Sequence, residues 1–235
     1  MATTTNAPGG QTLKAFDEDL DRLRALISQM GGLAEHAIRE SMRCLSQRDL
    51  EGALRIVEND KKLDALEVET ERRAIQILAL RAPMAGDLRE VIAAMKISSV
   101  VERIGDYAKN IAKRVPLLEN AKANEAITLL PEMARVATEM VHDVLDAFIE
   151  RDGDAALKVT ARDQVVDDFY NSIFRTLLTH MMENPQNIGP SAHLMFIAKN
   201  LERIGDHATN IVEMVFYAAS GRHPPDRIKL SEGTN

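Results

Sequence analysis

Apolar residues recur along this chain at spacings of three and four, the 3.6-residue period of helices that turn one face to a core. Six such blocks can be traced. The first runs from about Leu13 to Gln47, with the Gly31-Gly32 pair as its predicted weak point or kink. The second spans about Leu50 to Leu80 and stops before Pro83, and the third, Met84 to Val115, stops before Pro116. After a short linker at 116–124 the plan repeats, with blocks at about 126–150, 154–182 and 189–220. Asn184-Pro185 and Gly189-Pro190 punctuate the last two.

The repetition extends to the residues themselves. Arg48-Asp49 and Ala53-Leu54 recur as Arg151-Asp152 and Ala156-Leu157 at an offset of 103, and Asp60 and Asp64 recur as Asp163 and Asp167 at the same offset. Glu102-Arg-Ile-Gly-Asp-Tyr-Ala-Lys-Asn-Ile111 recurs as Glu202-Arg-Ile-Gly-Asp-His-Ala-Thr-Asn-Ile211 at an offset of 100, with eight of ten positions identical. A loop shorter by three residues reconciles the offsets. The predicted fold is all-α: two tandem homologous three-helix bundles, residues 11–117 and 124–220, between flexible tails at 1–10 and 221–235. Two bundles side by side and one elongated six-helix bundle are both compatible with the pattern.

Composition supports the class. Hydrophobic residues make up 45% of the chain and aromatics 4%, with no Trp, which favours helices packed through aliphatic seams. A net charge of −7 without a Lys/Arg block argues against a nucleic-acid partner. The single cysteine, Cys44, cannot form an internal disulfide, and residues 1–10 lack a secretory pattern. A cytoplasmic protein is expected, with only peripheral contact with a membrane complex. Gly-rich phosphate loops, nucleophile elbows and Cys/His zinc spacings are missing, so no catalytic residue and no organic cofactor site is predicted.

The chemistry that remains is acidic. Residues four apart lie one turn apart, so Glu102, Asp106 and Asn110 form a column of oxygens rising about 6 Å per step, and Glu202, Asp206 and Asn210 repeat it. The apolar seam Ile97, Val100, Ile104, Ala108, Ile111 and Val115 falls roughly opposite. The second helix of each unit offers a matching row, Asp60 and Asp64 followed by Glu67 and Glu71, and Asp163 and Asp167. Packed side by side, such rows repel, raise one another's pKa or recruit a cation. Roughly five (i, i+4) acidic pairs arise by chance in a chain this rich in acids, so recurrence in both units is the informative part. Metal ligation, an ion-pair network with Arg103 and Arg203, and a solvated face all fit the spacing. For a metal, oxygen ligands favour Mg²⁺, Mn²⁺, Ca²⁺ or iron over a closed thiolate zinc site. Gly105 and Gly205, each mid-helix before an acid, predict a close approach by another helix or a ligand. Glu139-x-x-His142 has the spacing of a di-iron ligand pair, but the first unit has His36 and Arg39 there.

Twin Glu-Arg-Ile-Gly-Asp-x-Ala-x-Asn-Ile signatures, the paired Asp-x-x-x-Asp motifs and Pro83-x-x-x-Asp87-Leu88-Arg89 resemble the PhoU family of phosphate-transport regulators, over about residues 11–220. That resemblance implies a cytoplasmic, non-enzymatic adaptor, often a homodimer. It would repress the phosphate-starvation response by linking the ATPase subunit of the phosphate ABC transporter to a sensor histidine kinase. It also implies metal ions, with Mg, Mn, Fe and Zn all open, on Asp60, Asp64, Glu102 and Asp106 and on Asp163, Asp167, Glu202 and Asp206, with Glu67, Asn110 and Asn210 as additional ligands. The second unit departs from the pattern in having only Gly189-Pro190-Ser191 and His193 before its signature. A metal-dependent enzyme built on the acidic rows and a helical scaffold or metal-storage bundle remain as alternatives.

Overall fold

The computed structural model describes residues 8–119 and 125–224. The predicted tail residues 1–7 and 225–235 and the linker residues 120–124 lie outside the described residues. Eight α-helices follow in order: α1 Pro8–Gln47, α2 Leu50–Asn59, α3 Lys61–Arg81, α4 Ala85–Ala112, α5 Glu125–Glu150, α6 Gly153–Val159, α7 Asp163–Glu183 and α8 Ile188–Ser220. The described residues contain no strand.

Two sequence expectations change. Residues 8–10 belong to α1 and not to a tail, with Pro8 in its first turn, where a missing N–H costs nothing. Helix α1 runs unbroken through Gly31 and Gly32. The second helix of each unit is two pieces, broken at Asp60 in the first repeat and at a 3₁₀ turn, Thr160–Arg162, in the second. The short pieces α2 and α6 start alike. Arg48 and Arg151 take left-handed backbone (φ 54° and 59°) to end α1 and α5. Asp49 and Asp152 then accept from the N–H of Gly52 at 2.7 Å and of Ala155 at 2.9 Å as N-caps.

Each repeat is a three-helix bundle, and the two lie side by side. Helix α1 packs on α4 and α5, and α8 packs on α4 and α5, so these four close a central ring. Helix α3 flanks it against α1 and α4, and α7 flanks it against α5 and α8. The predicted seam is in the core: Ile97, Ile104, Ala108 and Ile111 are fully buried, as are Ile197, Ile204, Ala208 and Ile211. Only Val100 is half-buried.

The repeats meet antiparallel through α4 and α8. Arg89 Nε at the start of α4 donates to the Ala218 carbonyl near the end of α8 at 3.4 Å, while Arg114 beyond the end of α4 lies 4.0 Å from the ring centre of Phe196 near the start of α8. Glu90, 7% exposed, is a second tie: it accepts from Arg24 Nε of α1 at 2.6 Å and meets Arg151 Nη2, just past α5, at 2.9 Å. Pro83-x-x-x-Asp87-Leu88-Arg89 thus sits where the first repeat grips the end of the second, with Arg89 against Gly221 (φ 72°).

Candidate functional site

The break before α3 turns Asp60 toward α4, where Lys109 Nζ pairs with both Asp60 Oδ2 and Asp106 Oδ1. Burial opposes the charge on Lys109, and hydrogen bonds to Asp106 and Asp60 outweigh it, holding the ammonium above its usual range. Asp64 is exposed and Glu67 half-buried one and two turns further along α3, and Glu102 and Asn110 are half-buried on α4. These acids are close enough to act on one another. Burial, then Asp106, Glu67, Asp64 and Asp60, pushes the Glu102 carboxyl up to about 7.

A consequence follows for stability. Glu102 has a folded pKa above its unfolded value, so its contribution is complete below about pH 4.5 and is lost as pH rises through about 7. Glu102→Gln is therefore expected to flatten the fall in stability between pH 5 and pH 7, read as urea midpoints at half-unit pH steps. Parallel curves for the two proteins would refute the buried, acid-crowded placement of this carboxyl.

The second row is built alike but neutralised from another side. Asp163 opens α7, Asp167 follows one turn on, and α8 supplies Glu202 and Asp206. Burial, then Asp163, Glu202 and Asp206, raises the Asp167 carboxyl. Its lysine is Lys199, which pairs with Glu202 and lies 5.2 Å from the Tyr170 ring centre. Thr209 stands at the position of Lys109, and Ser99 at that of Lys199. Asn210 is exposed at the outer end of its column. The eight predicted acids thus gather into two clusters of four, with Glu67 added to the first. Among the described residues no three His, Cys, Asp or Glu side chains stand as a ready-made metal-ligand group.

Both signature glycines are close-approach positions. A Cβ at Gly105 would overlap Leu63 Cδ2 and reach Asp60 Oδ1 at 3.8 Å, and one at Gly205 would meet Val166 Cγ1 at 3.3 Å. Bare backbone lets α3 and α7 lie tight against α4 and α8, which is what draws the acidic rows together.

The signature arginines do something the spacing did not suggest. Tyr107 and His207, equivalent positions of the two repeats, meet edge to face with ring centres 5.2 Å apart, and Arg203 lies 5.9 Å over Tyr107. Burial, followed by Arg103, lowers the His207 pKa. Arg203 thus reaches the repeat junction, and the charge of Arg103 is felt there too. Glu139 and His142 do not form a ligand pair: Glu139 bonds Arg135 at 2.7 Å and His142 Nδ1 bonds Glu35 at 3.1 Å. The lysines escaped the sequence reading, although Lys109 three residues after Asp106 and Lys199 three before Glu202 are the signals that would have found them.

Duplicated three-helix units that pair carboxylate rows at their helix seams define a class of internally repeated helical-bundle protein. The PhoU domain profile matches residues 27–115 and 130–215, one domain per repeat. The chain belongs to the PhoU family. It is 56% identical over 220 residues to the phosphate-specific transport system accessory protein PhoU homolog of Zymomonas mobilis, covering 94% of this chain and 93% of that one. Identity to the Caulobacter vibrioides homolog is 45%, over 89% and 92%. The crystal structure of PhoU from Pseudomonas aeruginosa superposes with a TM-score of 0.84 at 35% identity, over 88% of this chain and all of that one. The phosphate transport system regulatory protein PhoU from Streptococcus pneumoniae gives 0.82 at 28%, over 89% and 99%. These relatives carry the names of accessory and regulatory proteins of phosphate transport.

Proposed function

We propose that this protein is a cytoplasmic accessory regulator of phosphate uptake that represses the phosphate-starvation response when phosphate is plentiful. The observation that carries this reading is the pair of PhoU domains filling the chain, at 56% identity to a phosphate-specific transport system accessory protein. The finer assignment is an adaptor, working as a homodimer, that contacts the ATPase subunit of the phosphate ABC transporter and a phosphate-sensing histidine kinase. No helix among the described residues is long and apolar enough to cross a membrane. Deleting the gene is expected to leave starvation genes, such as one for a secreted phosphatase, active in high phosphate. A deletion strain that still shuts off the phosphatase under those conditions would count decisively against the reading.

The same reading includes cations on the acidic rows. The donor set is all oxygen, and an ammonium already rests between Asp60 and Asp106, which marks that place as one where positive charge is held. A divalent or iron cation would be held by Asp163, Asp167, Glu202 and Asp206 in the second repeat, where Thr209 stands at the position of Lys109 and Lys199 pairs with Glu202. Its contribution there is charge neutralisation across the α7–α8 seam. Elemental analysis of chelator-free protein should find metal that Glu202→Ala/Asp206→Ala loses; equal, near-zero content in both would remove the cation from the proposal.

A further inference from the structure

The internal repeat brings equivalent residues of α4 and α8 together at one place. Two ties fix the level of the helices: Arg89 against the Ala218 carbonyl, and Arg114 beside Phe196. Counted inward from these, equivalent residues come level near Ile104 and Ile204, both fully buried. Next to them stand Arg103 and Tyr107 of one repeat and Arg203 and His207 of the other, the arginines exposed and the rings half-buried. The rings meet edge to face with centres 5.2 Å apart, and the Arg203 guanidinium lies 5.9 Å over Tyr107.

These two arginines differ from their fellows in what they lack. Arg43, Arg81, Arg135 and Arg162 each meet a carboxylate, and Arg24 meets two. Among the described residues no carboxylate pairs with Arg103 or Arg203. Neighbouring acids are engaged elsewhere, Asp106 with Lys109 and Glu202 with Lys199. Positive charge therefore dominates the junction: at His207 the charge of Arg103, from across the interface, outweighs that of Asp206, the preceding residue, and Arg203 adds to it. Two like charges held at one junction without an acid repel, and an oxyanion between them removes that repulsion.

We propose that the repeat junction is a binding site for a tetrahedral oxyanion, inorganic phosphate, held between the guanidiniums of Arg103 and Arg203 beside the Tyr107 and His207 rings. Each guanidinium presents a planar fork of N–H donors that matches two oxygens of a phosphate, a geometry a lysine cannot supply. Tyr107 adds a phenolic O–H to the donors of the cluster. The donors are arginines and not carboxylates, so phosphate needs no bridging cation here. That an oxyanion binds stands on the junction alone; that it is free phosphate rests on the regulatory reading above.

Equilibrium dialysis of the full chain against labelled phosphate tests the site, with chelator present so that no cation can bridge phosphate to the acidic rows. Saturable binding of about one phosphate per chain is expected, weakened at least about tenfold in Arg103→Gln/Arg203→Gln. Both arginines are exposed, so the urea midpoint of that variant should match the parent's. Arg175→Gln, which removes an exposed arginine of α7 outside the junction, should bind as the parent does. No saturable binding, or an equal loss in Arg175→Gln, would overturn the site. Glycerol 3-phosphate that displaces the label better than unlabelled phosphate would overturn free phosphate in favour of a phosphomonoester, and sulfate that displaces it equally would overturn any phosphate assignment. A chain that fails to bind phosphate while its deletion strain is derepressed would lose this site and keep the regulatory reading. Phosphate binding by a chain whose deletion leaves repression intact would uphold the site and remove that reading.

Discussion

Gly105→Val is expected to lower the unfolding free energy by about 3 kcal/mol, because a branched side chain must go where Leu63 already sits. Leu63 is 4% exposed and packed into the core, so it cannot swing outward, and α3 must retreat from α4. That retreat also pulls Asp60 from Lys109, adding a lost ion pair to the overpacking. The same fold makes Gly205→Ala nearly neutral: Val166 must give a few tenths of an ångström, while alanine is preferred to glycine mid-helix by about 1 kcal/mol. Urea unfolding of the two variants separates these outcomes. A Gly105→Val protein within about 1 kcal/mol of the parent would show that the α3–α4 seam is not as tight as described.

Glu90→Ala is expected to cost about 2 to 3 kcal/mol. The carboxylate is buried at the meeting of the repeats, and burial pushes its pKa up against the pull of Arg24. Removing it leaves Arg24, whose side chain is 16% exposed, with Asp21 at 2.6 Å as its remaining ion pair, and the Arg24 Nη2 is already buried without a hydrogen bond among the described residues. Arg151, half-exposed, can turn to water, so Arg151→Ala should cost less than about 1 kcal/mol. Glu90→Gln keeps an acceptor for Arg24 without the charge and should fall between the two. Equal losses for Glu90→Ala and Arg151→Ala would mean that the pair behaves as a surface contact. Because the tie joins α1, α4 and the end of α5, its loss should shift one cooperative transition and not split it.

Much of this was legible in the chain because helical periodicity and duplication reinforce each other. The apolar seam of α4, from Ile97 to Ile111, is buried as its spacing requires except at Val100, which is half-buried. The break at Asp60 was not legible, because Asp60 itself keeps helical backbone (φ −53°, ψ −37°) and no Pro or Gly marks the site. The role of Gly31 was hidden for a related reason: its bare backbone makes room for Leu145 across the repeat boundary, a use invisible from within α1. Counter-ions were missed because a lysine three residues from an acid on one helix reads as a surface pair, and only the packing of α3 on α4 makes Lys109 bridge two helices.

The contact between Tyr107 and His207 carries one more consequence. Where two identical subunits meet about a two-fold axis, a residue on that axis faces its own copy, and any change appears on both sides at once. Joining the two halves in one polypeptide lifts that restriction. A tyrosine here faces a histidine, and a lysine on one side answers a threonine on the other. A fused pair of this kind has a left and a right that a true dimer of halves lacks, so different partners can each recognise one side.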